Sequence, residues 1–175
     1  MVECRQNKAM LVLTNLKKKK LKKKDIFGIC RLKNTVWKFG IKSNLRWFRE
    51  NVRNDDLNIV LKLNNSIIGY TLLRKRVYFE KNKKKNFFYL DTIIVAKKFR
   101  KEKFGKLLIQ FNNFLISRND FLGFLLCKNK DIKFYKKFGW KTLNTSSYSI
   151  ENKNNKNLYG MSFNLDNRNF KKFIL

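Results

Sequence analysis

The 175 residues contain no histidine and no proline, and they include only three cysteines, seven glycines and 12 acidic side chains. Each scarcity excludes a chemistry. Without histidine, Ser-His-Asp and Cys-His nucleophile systems, HExxH metal sites and Cys2His2 zinc sites are all ruled out. The cysteines stand at positions 4, 30 and 127, an odd number with no CxxC spacing. They suggest a reducing compartment rather than a disulfide framework, and no structural metal is expected. The longest early apolar run is Met10 to Leu13, too short for a signal-peptide core or for the ~20 residues of a membrane span. A cytoplasmic location is expected.

What the chain has in excess is positive charge. Lys and Arg number 42, for a formal net charge of +30, yet 43% of the residues are hydrophobic and 15% aromatic. That apolar content is too high for a disordered chain, so the sequence reads as one folded domain over residues 1–175 with a strongly cationic surface. Lys, Asn, Phe and Ile are also what AT-rich codons encode, and part of the charge is compositional background. A basic nucleic-acid- or ribosome-binding module without catalysis is the alternative reading. It rests on charge alone, because the sequence has no RNP-type aromatic pattern, GxxG loop or helix-turn-helix. The polybasic segment Lys17–Lys24 holds seven Lys around Leu21 and reads as a solvated loop or helix end.

The spacing predicts two short helices, Ile26–Lys33 and Asn44–Arg53, the second capped by Ser43, packed as a pair over one face of a sheet. From Leu57 the pattern alternates. A strand is expected over Leu57–Leu63, a turn at Asn64-Asn65, a strand over Ser66–Arg74, a turn at Lys81–Asn86 and a buried central strand over Phe87–Val95 that carries Asp91. A helix follows over Phe104–Arg118, its core stripe made of Phe104, Leu107, Leu108, Phe111, Phe114 and Leu115. Then come a strand over Phe121–Cys127, a helix over Lys130–Phe138 stopped by Gly139, and strands over Trp140–Leu143 and Leu158–Phe163, joined by an Asn/Ser/Lys-rich loop. This order gives an α/β fold, a mixed, mostly antiparallel sheet with helices on both faces.

Within that order, Ile93-Ile94-Val95 followed by Arg100-Lys101-Glu102-Lys103-Phe104-Gly105-Lys106 is a strand, a loop and a helix start. It resembles the GNAT superfamily of acyl-CoA-dependent N-acetyltransferases, whose loop reads [QR]-x-x-G-x-[GA]. The loop keeps the Arg and the last Gly but has Lys103 where the first Gly is usual. Unsatisfied N–H groups at such a helix start are suited to a pyrophosphate, so the resemblance implies that Ile93, Ile94, Val95, Arg100, Lys101, Lys103, Phe104, Gly105 and Lys106 bind acetyl-CoA as acyl-donor cosubstrate. Phe134-Tyr135-Lys136-Lys137-Phe138-Gly139-Trp140 resembles the family's FYxKxGF segment. It implies that Tyr135 is the general acid that protonates the departing thiolate. The family's Asn and Ala, seven and four residues before that Tyr, are replaced here by Lys128 and Asp131, and Asn129 stands next door as a substitute cofactor contact.

An acceptor ammonium must lose a proton before its nitrogen can attack, and with no histidine the expected base is a carboxylate. Asp91, on the strand where many relatives carry one, is the first candidate, and Glu80 is the reserve. Cys127 reads as a packed small hydrophobe rather than a nucleophile, since nothing is present to lower its pKa. The expected reaction is therefore direct transfer of acetyl, in a ternary complex, to the primary amine of a small-molecule acceptor. The segments Val36–Lys38 and Trp47–Asn51 are expected to form the acceptor wall, with Trp and Arg suited to a sugar ring and an anion. The hairpin Gly69–Tyr78 also looks somewhat like that of aminoglycoside acetyltransferases, but the charge disfavours a polycationic acceptor. A nucleotide-linked or phosphorylated amino sugar suits it better. A homodimer stays open.

Overall fold

A computed structural model describes residues 9–151, 157–165 and 171–175; Cys4 and part of the loop before Leu158 lie outside the described residues. The chain opens with strand β1 (Leu11–Lys17), then helices α1 (Lys23–Asn34) and α2 (Ile41–Asn51). Strands β2 (Leu57–Leu63), β3 (Ser66–Glu80) and β4 (Lys83–Val95) follow, then helix α3 (Phe104–Arg118), strand β5 (Leu122–Cys127) and helix α4 (Asn129–Lys136). Short strands β6 (Lys141–Thr142), β7 (Tyr148–Ile150), β8 (Tyr159–Phe163) and β9 (Lys171–Ile174) complete the described part. The sheet runs β1-β2-β3-β4-β5-β8-β6, with β9 pairing both β3 and β7. It is the mixed, mostly antiparallel sheet with helices on both faces that the sequence implies.

Period-two alternation sends neighbouring side chains to opposite faces. On β2, Ile59 and Leu61 join the core under α3 and α4, which includes Leu108, Ile109, Leu115 and Ile116. Val60 between them joins the core under α1 and α2, with Ile29, Cys30, Leu32 and Phe48. β1 is absent from the sequence reading, and it obeys the same rule: Leu13 packs against the first core and Leu16 against the second. The polybasic run hides it. Only Lys17 of that run is strand; the rest forms a single 3-10 turn and the start of α1. Lys18 is not simply solvated: its Nζ donates to the carbonyls of Arg49 and Val52, 2.7 Å each, at the C-terminal end of α2. A cation is favourable there because the helix dipole leaves unpaired carbonyl oxygens.

Three expectations need correction. Ser43 does not cap α2; the cap position is Gly40, at φ +86°, whose N–H donates to Asn34 Oδ1 at 2.9 Å. The turn of the second hairpin is not Lys81–Asn86 but the pair Lys81-Asn82, both at positive φ, as a two-residue loop requires. β3 and β4 therefore run on as paired strands to Glu80 and Lys83. The polar Lys83–Lys85 stretch is held in strand by the cluster below it, where Tyr78, Phe87, Phe124 and Phe173 meet, the last two stacked at 4.1 Å. On α3 the expected stripe packs in the core except at Phe114, and the buried face is wider than the stripe. Phe114 is 53% exposed, while Ile109, Asn112 and Ile116 are buried. Asn112 can face the core because Thr71 Oγ1 accepts from its Nδ2 at 3.0 Å and the Leu108 carbonyl accepts at 2.6 Å. A buried amide is tolerated only when satisfied in this way.

Two irregularities position the site. β4 and β5 are parallel but pair only over Phe87–Tyr89 and Leu122–Phe124. Beyond that, β5 pairs with β8 and the last residues of β4 keep a strand neighbour only on the β3 side. The sheet therefore opens into a cleft. At the same level the β3–β4 register slips: Leu72 faces Thr92 but Leu73 faces Leu90, so Asp91 is the extra residue of a β-bulge.

Candidate active site

The cleft between β4 and β5 holds a cavity of about 650 Å³. One wall is the open edge of β4, Asp91 to Val95; the opposite wall is Leu126, Cys127 and Lys128; Phe134 and Tyr135 of α4 close it. Backbone N–H and C=O groups on that edge have no ladder partner in β5, so they are free to pair with an extended amide-bearing chain. Arg100 and Gly105 line the cleft at the start of α3.

Local sequence explains why the helix end is open to a ligand. Lys103 occupies the cap position at φ +57°, ψ 11°, contributes no side-chain cap bond, and no acidic residue stands in the first turn. The first N–H groups of α3 are therefore unpaired donors at the positive end of the dipole, a site for an anion. At Gly105 a Cβ would meet nothing nearer than Phe134 Cζ at 3.9 Å. The absent side chain leaves room for a ligand rather than relieving a clash. Arg100 Nε reaches the Val95 carbonyl at 3.4 Å and ties the loop to the strand. Of the other loop residues, Lys101, Lys103 and Lys106 are exposed around the mouth and do not line the cavity. Phe104 packs edge-on against Phe99, ring centres 6.2 Å apart, and serves as a wedge under the loop. Asn129 is likewise outside the lining, whereas Lys128, Lys130 and Asp131 are in it.

Tyr135 is buried, with its ring edge-on to Trp140 at 6.2 Å. No hydrogen-bond partner for its hydroxyl is found among the described residues. Burial pushes its phenol well above the ordinary value, and the neighbouring Cys127 and Asp131 push the same way, so the proton is retained at neutral pH. Cys127 is packed against Met161, sulfur to sulfur 3.6 Å, and burial raises its thiol to about 11. A thiol held in that state is a poor nucleophile.

Asp91 Oδ2 accepts from Arg74 Nη1 at 3.3 Å, and Arg74 Nη2 donates to the Asn51 carbonyl at 3.1 Å. The carboxylate is thus fixed by one oxygen, and its Oδ1 has no partner among the described residues. Glu80 does not share this place. It sits at the far tip of the β3–β4 hairpin, bonded to Lys85 at 2.6 Å and Lys171 at 3.0 Å. The Lys85 hydrogen bond is the main force that draws its carboxyl down to about 2. It is a structural ion pair outside the cleft.

A second cavity, about 410 Å³, adjoins the first. Trp37, Phe39 and Trp47 form its walls, Ser43 and Asn44 its polar rim, and Lys33, Asp91 and Thr92 its floor. Trp37, Asp91 and Thr92 belong to both cavities, so the two meet at the bulge. Trp37 and Trp47, expected on an acceptor wall, both line this cavity, but Arg49 is exposed and is not part of the lining. The cation is Lys33, which sequence reasoning passed over. Its Nζ lies 3.4 Å from the centre of the Trp47 ring and 5.7 Å from that of Trp37. Burial lowers its ammonium to about 8, with Asp91 partly offsetting the effect. One signal was present in the sequence: Lys33 continues the core-facing row Ile29, Cys30 of α1, where a lysine is out of place.

A family model described as an acetyltransferase (GNAT) domain matches residues 54–142, just over half of the 175. Among curated proteins nothing matches. Several solved structures share the fold. Escherichia coli ElaA aligns over 87% of this chain and 99% of its own, with a TM-score of 0.64 and 16% identity. An acyl-CoA N-acyltransferase from Pseudomonas aeruginosa aligns over the same shares with a TM-score of 0.65 and 13% identity. The PaiA N-acetyltransferase of Thermoplasma acidophilum, in complex with coenzyme A, covers 87% and 98% with a TM-score of 0.56 and 16% identity.

Proposed function

The chain belongs to the GNAT acetyltransferase family, an acyltransferase that draws on acetyl-CoA, and from that premise we propose that it moves the acetyl group directly to the primary amine of a small molecule held beside Asp91. The observation that carries this reading is the meeting of the two cavities at Asp91 and Thr92. One cavity offers an uncapped helix start and an open strand edge, which suit a pyrophosphate and an amide-bearing arm. The other offers aromatic walls and a cation, which suit an acceptor.

In the proposed step the acceptor ammonium gives a proton to Asp91, directly or through water, and its nitrogen lone pair attacks the thioester carbonyl. The C–N bond forms, the C–S bond breaks, the sulfur takes the Tyr135 proton, and the second proton shed by the new amide nitrogen returns to the Tyr135 oxygen through water. The protonated state of Tyr135 supports this assignment, and the neutral thiol of Cys127 supports transfer without an acyl-enzyme. The Arg74 bond to Asp91 keeps one carboxylate oxygen oriented while the other stays available.

Electrostatics narrows the acceptor. Lys33 and Arg74 surround a single carboxylate, so the acceptor pocket carries a surplus positive charge and disfavours polycations. A single lining cation matches one anionic group on the acceptor better than the pyrophosphate of a nucleotide-linked sugar. The test is a thermal-shift titration with acetyl-CoA at low salt, followed by free-thiol release across a panel of amines. A rise in Tm with acetyl-CoA and amine-dependent thiol release are expected; neither shift nor release at saturating acetyl-CoA would remove the enzyme reading.

A further inference from the structure

Resting on the acetyltransferase reading above, we propose that the pocket between α1, α2 and β4 receives an aromatic α-amino acid, its ammonium at Asp91, its carboxylate at Lys33 and its ring against Trp37, Phe39 and Trp47. The argument begins with Lys33. It is 6% exposed, and among the described residues no carboxylate lies within ion-pair distance of its Nζ. An aromatic face holds it instead, 3.4 Å from the Trp47 ring centre. A ring stabilises an ammonium from one side only and accepts no N–H bond of full strength. The remaining donors are left for an anion, in a setting where a charge-assisted bond is strong.

Asp91 supplies the opposite pole. Both residues line the same cavity, and the Asp91 carboxylate is the main charge that opposes loss of the Lys33 proton. Arg74 already occupies Asp91 Oδ2, so the free Oδ1 is left for the acceptor ammonium. Lys33, Arg74 and Asp91 together leave one positive charge. A simple monoamine keeps that surplus and adds to it at the moment of binding. A zwitterion brings its own anion to Lys33 and keeps a cation for Asp91, so both poles are matched.

The walls specify the body of the ligand. Trp37 is 36% exposed and Phe39 73% exposed, a high exposure for side chains of this size on a small domain. With Trp47 they make an apolar box open at one side. Flat aromatic rings are the groups that such faces favour by stacking or edge contact. A sugar would bring hydroxyls to walls with few partners, Ser43 and Asn44 being the polar groups at the rim. An amine held at Asp91 is also at the junction with the donor cleft, where it can meet a thioester.

The experiment uses the full chain and matched acceptors: L-phenylalanine against phenethylamine, L-tryptophan against tryptamine, and glucosamine 6-phosphate as the competing anion-bearing amine. Free-thiol release at saturating acetyl-CoA gives kcat/KM for each. The carboxylate-bearing member of each pair is expected to be preferred by roughly ten- to hundredfold, the range of one charge-assisted bond. Lys33→Met is expected to erase that preference by raising KM for the amino acid at least tenfold more than KM for phenethylamine. Quenching of the intrinsic tryptophan fluorescence by L-phenylalanine, with and without coenzyme A, tests the pocket without requiring turnover. Equal use of phenylalanine and phenethylamine, a preference for glucosamine 6-phosphate, or an unaltered preference in Lys33→Met would each overturn the proposal. Acetyl-CoA binding measured by calorimetry keeps the two readings apart: binding and transfer to other amines with no response to phenylalanine would end this inference and leave the enzyme reading standing.

Discussion

The two cavities that meet at Asp91 are built on different principles. The cleft toward α3 is lined from β4, the start of α3, β5 and α4, but the groups it offers along β4 and α3 are largely main-chain: an open strand edge and a helix start without a cap. The pocket toward α1 and α2 draws on side chains from Lys33 to Thr92, on three separate elements. A site made of backbone tolerates exchange of side chains, and Lys103, where glycine is usual, does take the positive φ that glycine favours. A site made of side chains changes its ligand with each substitution. The first kind carries what a family shares, and the second carries what distinguishes one member.

Three further measurements sharpen or break that contrast. The largest effect is expected at the one side chain on which the donor side depends chemically. Tyr135→Phe should lower kcat by roughly 100-fold, within the span of general acid–base effects, while acetyl-CoA affinity stays within about twofold, because the ring packing against Trp140 is kept. Unchanged turnover would remove the general-acid role. Next comes Gly105→Val. Space at this Cβ position means the free protein should keep its Tm, whereas acetyl-CoA should bind on the order of tenfold more weakly, since the branched side chain occupies the approach to the helix start. A loss of Tm in the free protein would instead mark Gly105 as a packing residue.

The smallest effect concerns stability and pH on the acceptor side. In the unfolded chain Lys33 holds its proton to roughly pH 10.4, but in the folded protein only to about 8. Between these values the unfolded state binds more protons, so stability attributable to Lys33 rises with pH, and below about 8 the full cost of the buried ammonium applies. The groups facing it are Asp91, Arg74 and Cys30, and burial raises the Cys30 thiol as well. Lys33→Met should accordingly be the more stable protein at pH 7, by on the order of 1–2 kcal/mol. Its margin should shrink across pH 8 to 10, as read by denaturant melts. A margin independent of pH would show that the amine is not desolvated.

The same contrast decides what was legible from sequence. α3 begins and ends where its spacing places it, at Phe104 and Arg118, because a long apolar period outweighs local noise. Its core stripe is legible except at Phe114, and the burial of Asn112 is not, since it looks like a surface residue until Thr71, 41 positions away, is seen to satisfy it. β1 was obscured by seven lysines, and β7 and β9, three and four residues long, are too short to display a period. The elements around the cleft are legible because Ile93 to Gly105 and Phe134 to Trp140 each form a contiguous motif. Asn129 lies outside the cavity lining although its neighbours Lys128 and Lys130 are in it, a difference that adjacency in sequence does not reveal. Lys33 was missed for the opposite reason: its partners Trp47 and Asp91 are brought to it only by the packing of α1, α2 and β4.

The bulge at Asp91 has a consequence for how such a protein can change over time. One surplus residue in β4 presents a carboxylate that the ladder does not use, and the added twist of a bulged strand helps to carry β4 away from β5. The opening and the carboxylate beside it are thus two results of one insertion, and deleting that residue would take the bulge and the acid group out of β4 together.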